Sequence, residues 1–84
     1  MTNVVIQPSA VALYRDPPDG SPRNVWPVTV ADIDRSADRV RVRLDGPVAL
    51  VAEITPAALD ALALRPGDGI WASVKATEIT IYPA

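Results

Sequence analysis

Residues 39–44, Arg-Val-Arg-Val-Arg-Leu, alternate strictly between charged and apolar side chains. Successive side chains of a β-strand point to opposite faces of a sheet, so this stretch places its three apolar residues on one face and its three arginines on the other. The stretch therefore predicts a strand with one face in a core and the other face in solvent.

The sequence on both sides of this stretch predicts further strands. Downstream, residues 48–54 are nearly continuous in apolar side chains, with Glu53 as the clear exception, which is typical of a strand covered on both faces. Upstream, residues 26–30 alternate as well, but the apolar phase slips before Ile33. Such a slip indicates a bulge or the bend of a strongly curved strand.

One helix is expected after the covered strand, over residues 55–62. Thr55 is a suitable N-cap, because its side chain can accept a hydrogen bond from a free backbone N–H of the first turn. Pro56 suits the first helical position, where its missing N–H is not needed. Leu59 and Leu62 would then share one face of the helix.

The order of these elements predicts the fold class. After the turn at Pro66-Gly67, residues 70–75 and 79–82 alternate again and predict two final strands. From Trp26 onward the order is strand, strand, strand, helix, strand, strand. This order is typical of an all-β, five-stranded OB-like barrel with one short helix between its third and fourth strands.

The N-terminal part of the chain is less regular. Residues 4–6 and 11–14 are strand-like, but Pro8-Ser9 separates them, and an acidic stretch rich in proline follows. We therefore expect residues 1–20 to form an N-terminal extension or edge strand that packs on a barrel spanning residues 21–84.

Composition excludes several kinds of chemistry. The 84 residues include no Cys and no His, which excludes disulfides, thiol or imidazole nucleophiles and the usual zinc sites. The carboxylates lie mainly in turns and on polar strand faces, and no glycine-rich phosphate loop is present. We expect no enzymatic activity from this chain, and we expect no catalytic residue and no direct metal ligand in it.

Charge and length also limit the partners. The net charge of −2 argues against a nucleic-acid binder, although an OB barrel could stack single-stranded bases on its few aromatic residues. No stretch approaches the roughly 20 apolar residues of a membrane-spanning helix, and the first residues lack the basic region of a secretory signal. A domain this short buries only about 60% of its unfolded surface, so we expect it to form an oligomer. We also expect it to lie in the cytoplasm and not to insert into a membrane.

Two short polar segments are candidates for a ligand site. Ser21-Pro22-Arg23-Asn24 places a hydroxyl, a guanidinium and an amide directly before the first barrel strand, and Lys75-Ala76-Thr77 joins the last two strands. Each segment alone is equally typical of an ordinary polar loop. Together they offer donors and almost no acceptor charge, which suits a tetrahedral anion, since its oxygens only accept hydrogen bonds.

An ordered set of motifs carries a family resemblance over about residues 21–82. The motifs are Ser21-Pro22-Arg23-Asn24, then residues 50–56 (LVAEITP), residues 62–67 (LALRPG) and residues 71–79 (WASVKATEI). In this order and spacing they resemble the molbindin or transport-associated OB (TOBE) domain.

The resemblance implies that molybdate or tungstate is bound at an interface between domains, with no cofactor required. By position, one subunit would contribute Ser21, Arg23 and Asn24, and another would contribute Lys75, Ala76 and Thr77. Pro22 departs from the alanine that is usual in the family. Proline has no backbone N–H, so this position supplies one donor fewer.

Residues 4–15 distinguish two versions of the family, because stand-alone molbindins begin almost at the first motif. The extra residues look like the segment that follows the nucleotide-binding domain in the ATPase subunit of molybdate importers. The resemblance therefore implies a C-terminal regulatory domain, a homodimer or higher homo-oligomer that works with an ABC transporter nucleotide-binding domain and permease at the inner face of the plasma membrane. A stand-alone molybdate storage molbindin and a structural dimerisation module with a vestigial anion site are the open alternatives.

Overall fold

The computed structural model describes residues 2–18, 25–74 and 79–83. Seven strands, one 3-10 turn and one α-helix form within these ranges. In chain order they are β1 (Thr2–Ile6), the 3-10 turn (Pro8–Ala10), β2 (Val11–Tyr14), β3 (Val25–Ser36), β4 (Arg39–Asp45), β5 (Leu50–Ile54), α1 (Pro56–Leu62), β6 (Gly69–Val74) and β7 (Ile79–Pro83).

Five of the strands form one antiparallel sheet in the order β2-β6-β3-β4-β5. The two edge strands of this sheet, β2 and β5, also contact each other, and the 3-10 turn packs on β5. The sheet therefore curls into the partly open barrel that is typical of an OB fold. The all-β, OB-like class that the sequence predicts is confirmed.

The last strand pairs differently from the simple order in the sequence. β7 forms a separate two-stranded sheet with β1, in which Val4 lies opposite Ile81. The fifth place in the main sheet belongs instead to β2, which pairs with β6 and buries Val11 and Leu13. The N-terminal segment thus supplies an edge strand to the barrel.

The alternating stretch of β4 forms the centre of the core, as its pattern predicts. Val40, Val42 and Leu44 are at most 1% exposed, while the arginines between them face solvent. Neighbouring strands add their own inward-facing residues to the same cluster. Among the residues whose burial the structure describes, the rest of this core consists of Val11, Leu13, Val28, Val30, Leu50, Ala52, Leu59, Leu64, Ile70, Ala72 and Val74.

The slip of apolar phase in β3 corresponds to a bulge. The β3–β4 register shifts between Val30 and Asp32. At the bulge the backbone of Val30 turns to the α1–β6 connection, where its N–H donates to Asp68 O (2.9 Å) and its carbonyl accepts from Gly67 N–H (2.7 Å). The bend lets one long strand pair with β6 through its first half and with β4 through its second half.

The helix has the N-terminus that the sequence predicts. Thr55 Oγ1 accepts a hydrogen bond from Ala58 N–H (3.1 Å), and Pro56 occupies the first turn. Leu59 is 3% exposed and anchors the helix on the core. Among the described residues, α1 is the only α-helix, and no helix there has the length and apolar character needed to cross a membrane.

Candidate functional site

All six residues predicted to hold the ligand lie outside the described ranges. Ser21, Arg23 and Asn24 fall between residues 18 and 25, together with Pro22, and Lys75, Ala76 and Thr77 fall between residues 74 and 79. The geometry that bears on these two segments is therefore that of the strand ends next to them.

These strand ends are neighbours in one ladder. β3 begins at Val25 and β6 ends at Val74, and the two strands are antiparallel, with Val25 opposite Ser73. Paired Cα atoms in such a ladder lie about 5 Å apart. The chain therefore enters β3 and leaves β6 at the same end of the β3–β6 ladder, which we call the Val25–Val74 end.

The inward side of β6 holds this end of the ladder in place. Ile70, Ala72 and Val74 alternate into the core and are at most 3% exposed. The alternation leaves Trp71 and Ser73 on the outer face, where both are half-buried. The outer side chain nearest to the Val25–Val74 end is consequently a serine hydroxyl.

A second hydroxyl lies beside this serine. Tyr14, at the end of β2, is opposite Trp71, and its hydroxyl accepts a hydrogen bond from Ser73 Oγ at 3.4 Å. The residues in register with Ser73 are Ala12 and Val25, and neither carries a charge. The described part of this end therefore combines two hydroxyls with uncharged neighbours.

The sequence did not single out the Tyr14–Ser73 pair as polar contacts. The two residues are 59 positions apart, and they meet only because β2 and β6 pair in this particular register. The only relevant signal in the sequence is the position of Ser73 on the polar side of an alternating strand.

The arginine face of β4 is electrostatically different. Glu53 Oε1 lies 3.8 Å from Arg39 Nη1 and 3.6 Å from Arg41 Nε, and Asp34 and Asp32 stand opposite Arg41 and Arg43 in the β3–β4 register. Acidic neighbours thus offset the positive charge of this face. It is a mixed-charge solvent surface, which is unfavourable for an anion.

A further charged cluster joins β2 to the turn before β6. Arg15 donates through Nε to Leu62 O (2.7 Å) and through Nη2 to Ala63 O and to Asp68 Oδ2 (2.8 Å). Asp68 Oδ2 also accepts from Arg65 N–H (3.0 Å). The hydrogen bond from Arg15, followed by that from Arg65, holds the pKa of Asp68 below its ordinary value.

This Arg15–Asp68 cluster is a structural clasp at the opposite end of β6. Asp68 comes directly before the first residue of β6, whereas the Val25–Val74 end lies at the last residue of β6. The guanidinium satisfies carbonyl groups at the C-terminus of α1, where a helix leaves its last carbonyls without partners. Its described donors are thus directed to groups of the protein itself.

Two shallow grooves of the described surface lie apart from the hydroxyl pair. One, of about 330 Å³, is lined by Arg35, Ser36, Ala37, Val40 and Pro56. The other, of about 380 Å³, is lined by Ile6, Pro8 and residues 48–51 and is mostly apolar. Neither groove is lined by Tyr14 or Ser73. The first contains Arg35, but Arg35 Nη2 lies 3.9 Å from Asp60 Oδ1, so a carboxylate offsets its charge.

The fold and the matched family define the class of this protein. Residues 20–81 match the family model of the TOBE domain. This match covers most of the chain, and the chain belongs to the TOBE domain family.

Relatives at the sequence level are import ATP-binding proteins for molybdenum and for molybdate or tungstate. The molybdenum import ATP-binding proteins ModC of two Mycobacterium tuberculosis strains, CDC 1551 and H37Rv, are each 44% identical over 84 residues, with 95% of this chain and 23% of the relative covered. The molybdate/tungstate import ATP-binding protein WtpC of Pyrococcus horikoshii is 32% identical over 81 residues, with 95% and 24% covered. The chain thus spans about a quarter of the length of these relatives.

A solved structure has the same fold. The crystal structure of the cytoplasmic molybdate-binding protein ModG with molybdate bound superposes with a TM-score of 0.89 at 25% sequence identity. The match covers 99% of this chain and 62% of that chain. The OB-like barrel with its N-terminal strands is therefore an architecture found in a molybdate-binding protein.

Proposed function

We propose that this chain is an oxyanion-binding regulatory domain of the ATP-binding subunit of a molybdate importer, and that its ligand is molybdate or tungstate. The similarity to ModC over 95% of this chain carries the proposal. The molybdate-bound structure of ModG, which has the same fold, supports the choice of ligand. We propose that the chain itself binds and does not catalyse, and its similarity to the TOBE domain and to a molybdate-binding protein supports this.

The proposed ligand residues are those of the two polar segments: Ser21, Arg23, Asn24, Lys75, Ala76 and Thr77. The pairing of Val25 with Ser73 supports this choice, because the two segments continue from neighbouring positions at one end of a ladder. Arg23 and Lys75 supply the positive charge, and hydroxyl and backbone N–H groups complete the set of donors. No metal–protein bond is required, since the ion is held through its oxygens.

Several donors are needed to bind such an ion. A hydrogen bond to a charged group contributes roughly 1.5 to 3 kcal/mol, whereas desolvation of a doubly charged ion costs several kcal/mol. Pro22 supplies no N–H, so the side chains of Arg23 and Lys75 carry a larger share of the binding. We propose that two copies of the domain share each ion, with Arg23 from one subunit and Lys75 from the other.

This assignment also gives the proposed setting. The domain acts in the cytoplasm, at the inner face of the plasma membrane, next to the nucleotide-binding domain and permease of the importer. Ion bound between two domains would favour one arrangement of the ATPase dimer, provided that the ion has different affinities for the two arrangements. Transport assays of the full importer with and without internal molybdate, in wild type and Lys75→Ala, test this coupling. Equal inhibition in both would contradict the role of Lys75.

Titration calorimetry on site variants tests the proposed residues. Arg23→Ala and Lys75→Ala should each weaken molybdate binding by about tenfold or more, because each removes a charge-assisted hydrogen bond. Arg39→Ala is the matched control, since its side chain is 66% exposed on the solvent face of β4 and its loss should leave the affinity unchanged. Wild-type affinity in both site variants would rule out these residues as ligands.

A second candidate function is a free-standing molybdate storage protein, and the high structural similarity to ModG favours it. The storage function predicts a larger closed oligomer that holds several ions, whereas the regulatory function predicts a dimer. Sedimentation of the chain with and without molybdate distinguishes the two.

A further inference from the structure

The hydroxyl pair at the Val25–Val74 end is not part of either sequence motif. Ser73 Oγ and the Tyr14 hydroxyl lie 3.4 Å apart and are half-buried on the outer face. Tyr14 stands opposite Trp71, so its ring reaches diagonally along β6 to meet Ser73, a distance that long aromatic side chains span. The tyrosine hydroxyl therefore lies level with the Val25–Ser73 pair.

A count of protons shows what this pair can do. Each hydroxyl has one proton to donate and two lone pairs to accept with. When the two hydroxyls bond to each other, one proton is used between them and the other is left for a further acceptor, whichever hydroxyl donates. Hydrogen bonds in a chain polarise one another, so this second proton becomes a stronger donor.

The surroundings of the pair favour an anionic acceptor. Ala12 and Val25, which are in register with Ser73, carry no carboxylate that would take the proton or repel an anion. The two polar segments of the proposed site continue directly from Val25 and Val74 at this same end. A tetrahedral oxyanion offers only acceptor oxygens and matches the remaining proton.

We propose that Tyr14 and Ser73 are further anion-binding residues, in which one hydroxyl donates to an oxygen of the oxyanion and the other supports it by hydrogen bonding. This inference rests on the proposed function, because the anion is the one assigned to the segments 21–24 and 75–77. It adds β2, from the N-terminal part of the chain, to the elements that contribute to the binding site.

Two variants that each remove a single hydroxyl test the proposal. Tyr14→Phe keeps the ring and Ser73→Ala keeps the strand, so neither should disturb the fold, and circular dichroism and thermal unfolding verify this. In calorimetric titrations of the purified chain with molybdate, the variant that lacks the donating hydroxyl should bind roughly tenfold more weakly. The variant that lacks the supporting hydroxyl should show a smaller loss. Thr29→Val is the matched control, because Thr29 is exposed at the far end of the same β3–β6 ladder, opposite Gly69.

The outcomes separate this proposal from the proposed function. If the wild-type chain binds molybdate and both Tyr14→Phe and Ser73→Ala bind it with wild-type affinity, the hydroxyl pair is not part of the site, while the proposed function stands. If the wild-type chain binds neither molybdate nor tungstate, the proposed function fails, and the proposal for the pair fails with it. A loss in either variant, with Thr29→Val unchanged, supports the pair.

Discussion

Gly46 occupies the tightest of the described glycine positions. A Cβ at this position would lie 3.0 Å from Pro27 O and 3.0 Å from Val28 Cγ1. The carbonyl belongs to the backbone of β3 and cannot move without disturbing the β3–β6 ladder. The connection between β4 and β5 therefore passes so close to β3 that a side chain would fit only if β3 gave way by a few tenths of an ångström.

Gly46→Ala should lower the free energy of unfolding by about 1 to 3 kcal/mol, the usual cost of overpacking a close contact. Gly69→Ala is the matched control, because a Cβ there would meet nothing within 4 Å. Chemical denaturation of both variants measures the difference. Equal midpoints for Gly46→Ala and the wild type would show that β3 yields at this contact.

Asp68 links stability to pH through the clasp with Arg15. The pKa of Asp68 is held below the ordinary value of about 3.9 for an aspartate by the hydrogen bonds from Arg15 and Arg65. A carboxylate with a lowered folded pKa adds stability that is fully present above its unfolded pKa. That stability is lost as the pH falls through the folded pKa.

Asp68→Asn should therefore be less stable than the wild type at pH 7, and this difference should shrink as the pH falls below about 4. Thermal unfolding of both proteins between pH 7 and pH 3 tests the prediction. Asp60→Asn serves as the control, because its carboxylate is 77% exposed and lies 3.9 Å from Arg35. A stability difference for Asp68→Asn that is independent of pH would show that the clasp acts through packing and not through charge.

At the scale of elements, local patterns predict the strands and the helix well. The alternation in β4, the phase slip before Ile33 and the Thr55-Pro56 start of α1 all correspond to what the structure contains. Each of these features depends on residues close together in the chain, where side-chain periodicity and capping preferences act directly.

Pairing between distant segments is what local patterns do not predict. The β1–β7 ladder and the place of β2 beside β6 join residues that are about 60 to 80 positions apart in the sequence. The register of a strand pair depends on which faces are buried against one another. The Tyr14–Ser73 contact and the Arg15–Asp68 clasp follow from that register, so neither could be identified before the fold was known.

In the candidate site, too, local patterns predict the residues, whereas their position depends on pairing between distant segments. The donors of Ser21-Pro22-Arg23-Asn24 and Lys75-Ala76-Thr77, together with the family resemblance, predict an anion site. The role of both segments stays a prediction because they lie outside the described residues. The strand ends next to these two segments are neighbours only because Val25 pairs with Ser73, and no local pattern predicts this pairing.

At the scale of the whole molecule, the charges are distributed unevenly over the surface. The face formed by β3, β4 and β5 carries opposed arginines and carboxylates, whereas the described residues around Ser73 are uncharged. An uncharged outer face can approach a second copy without like-charge repulsion. This arrangement suits an ion shared between two domains, in which the cations are supplied by Arg23 and Lys75.

Calorimetric titration of the wild-type chain with molybdate, alongside tungstate, sulfate and phosphate, tests the central claim most directly. We expect saturable binding of molybdate and tungstate with comparable affinities, because the two ions share charge and tetrahedral geometry. If the ion is shared between two subunits, the stoichiometry should be a whole number of ions per dimer. No saturable heat with either ion would contradict the claim that this domain is an oxyanion sensor.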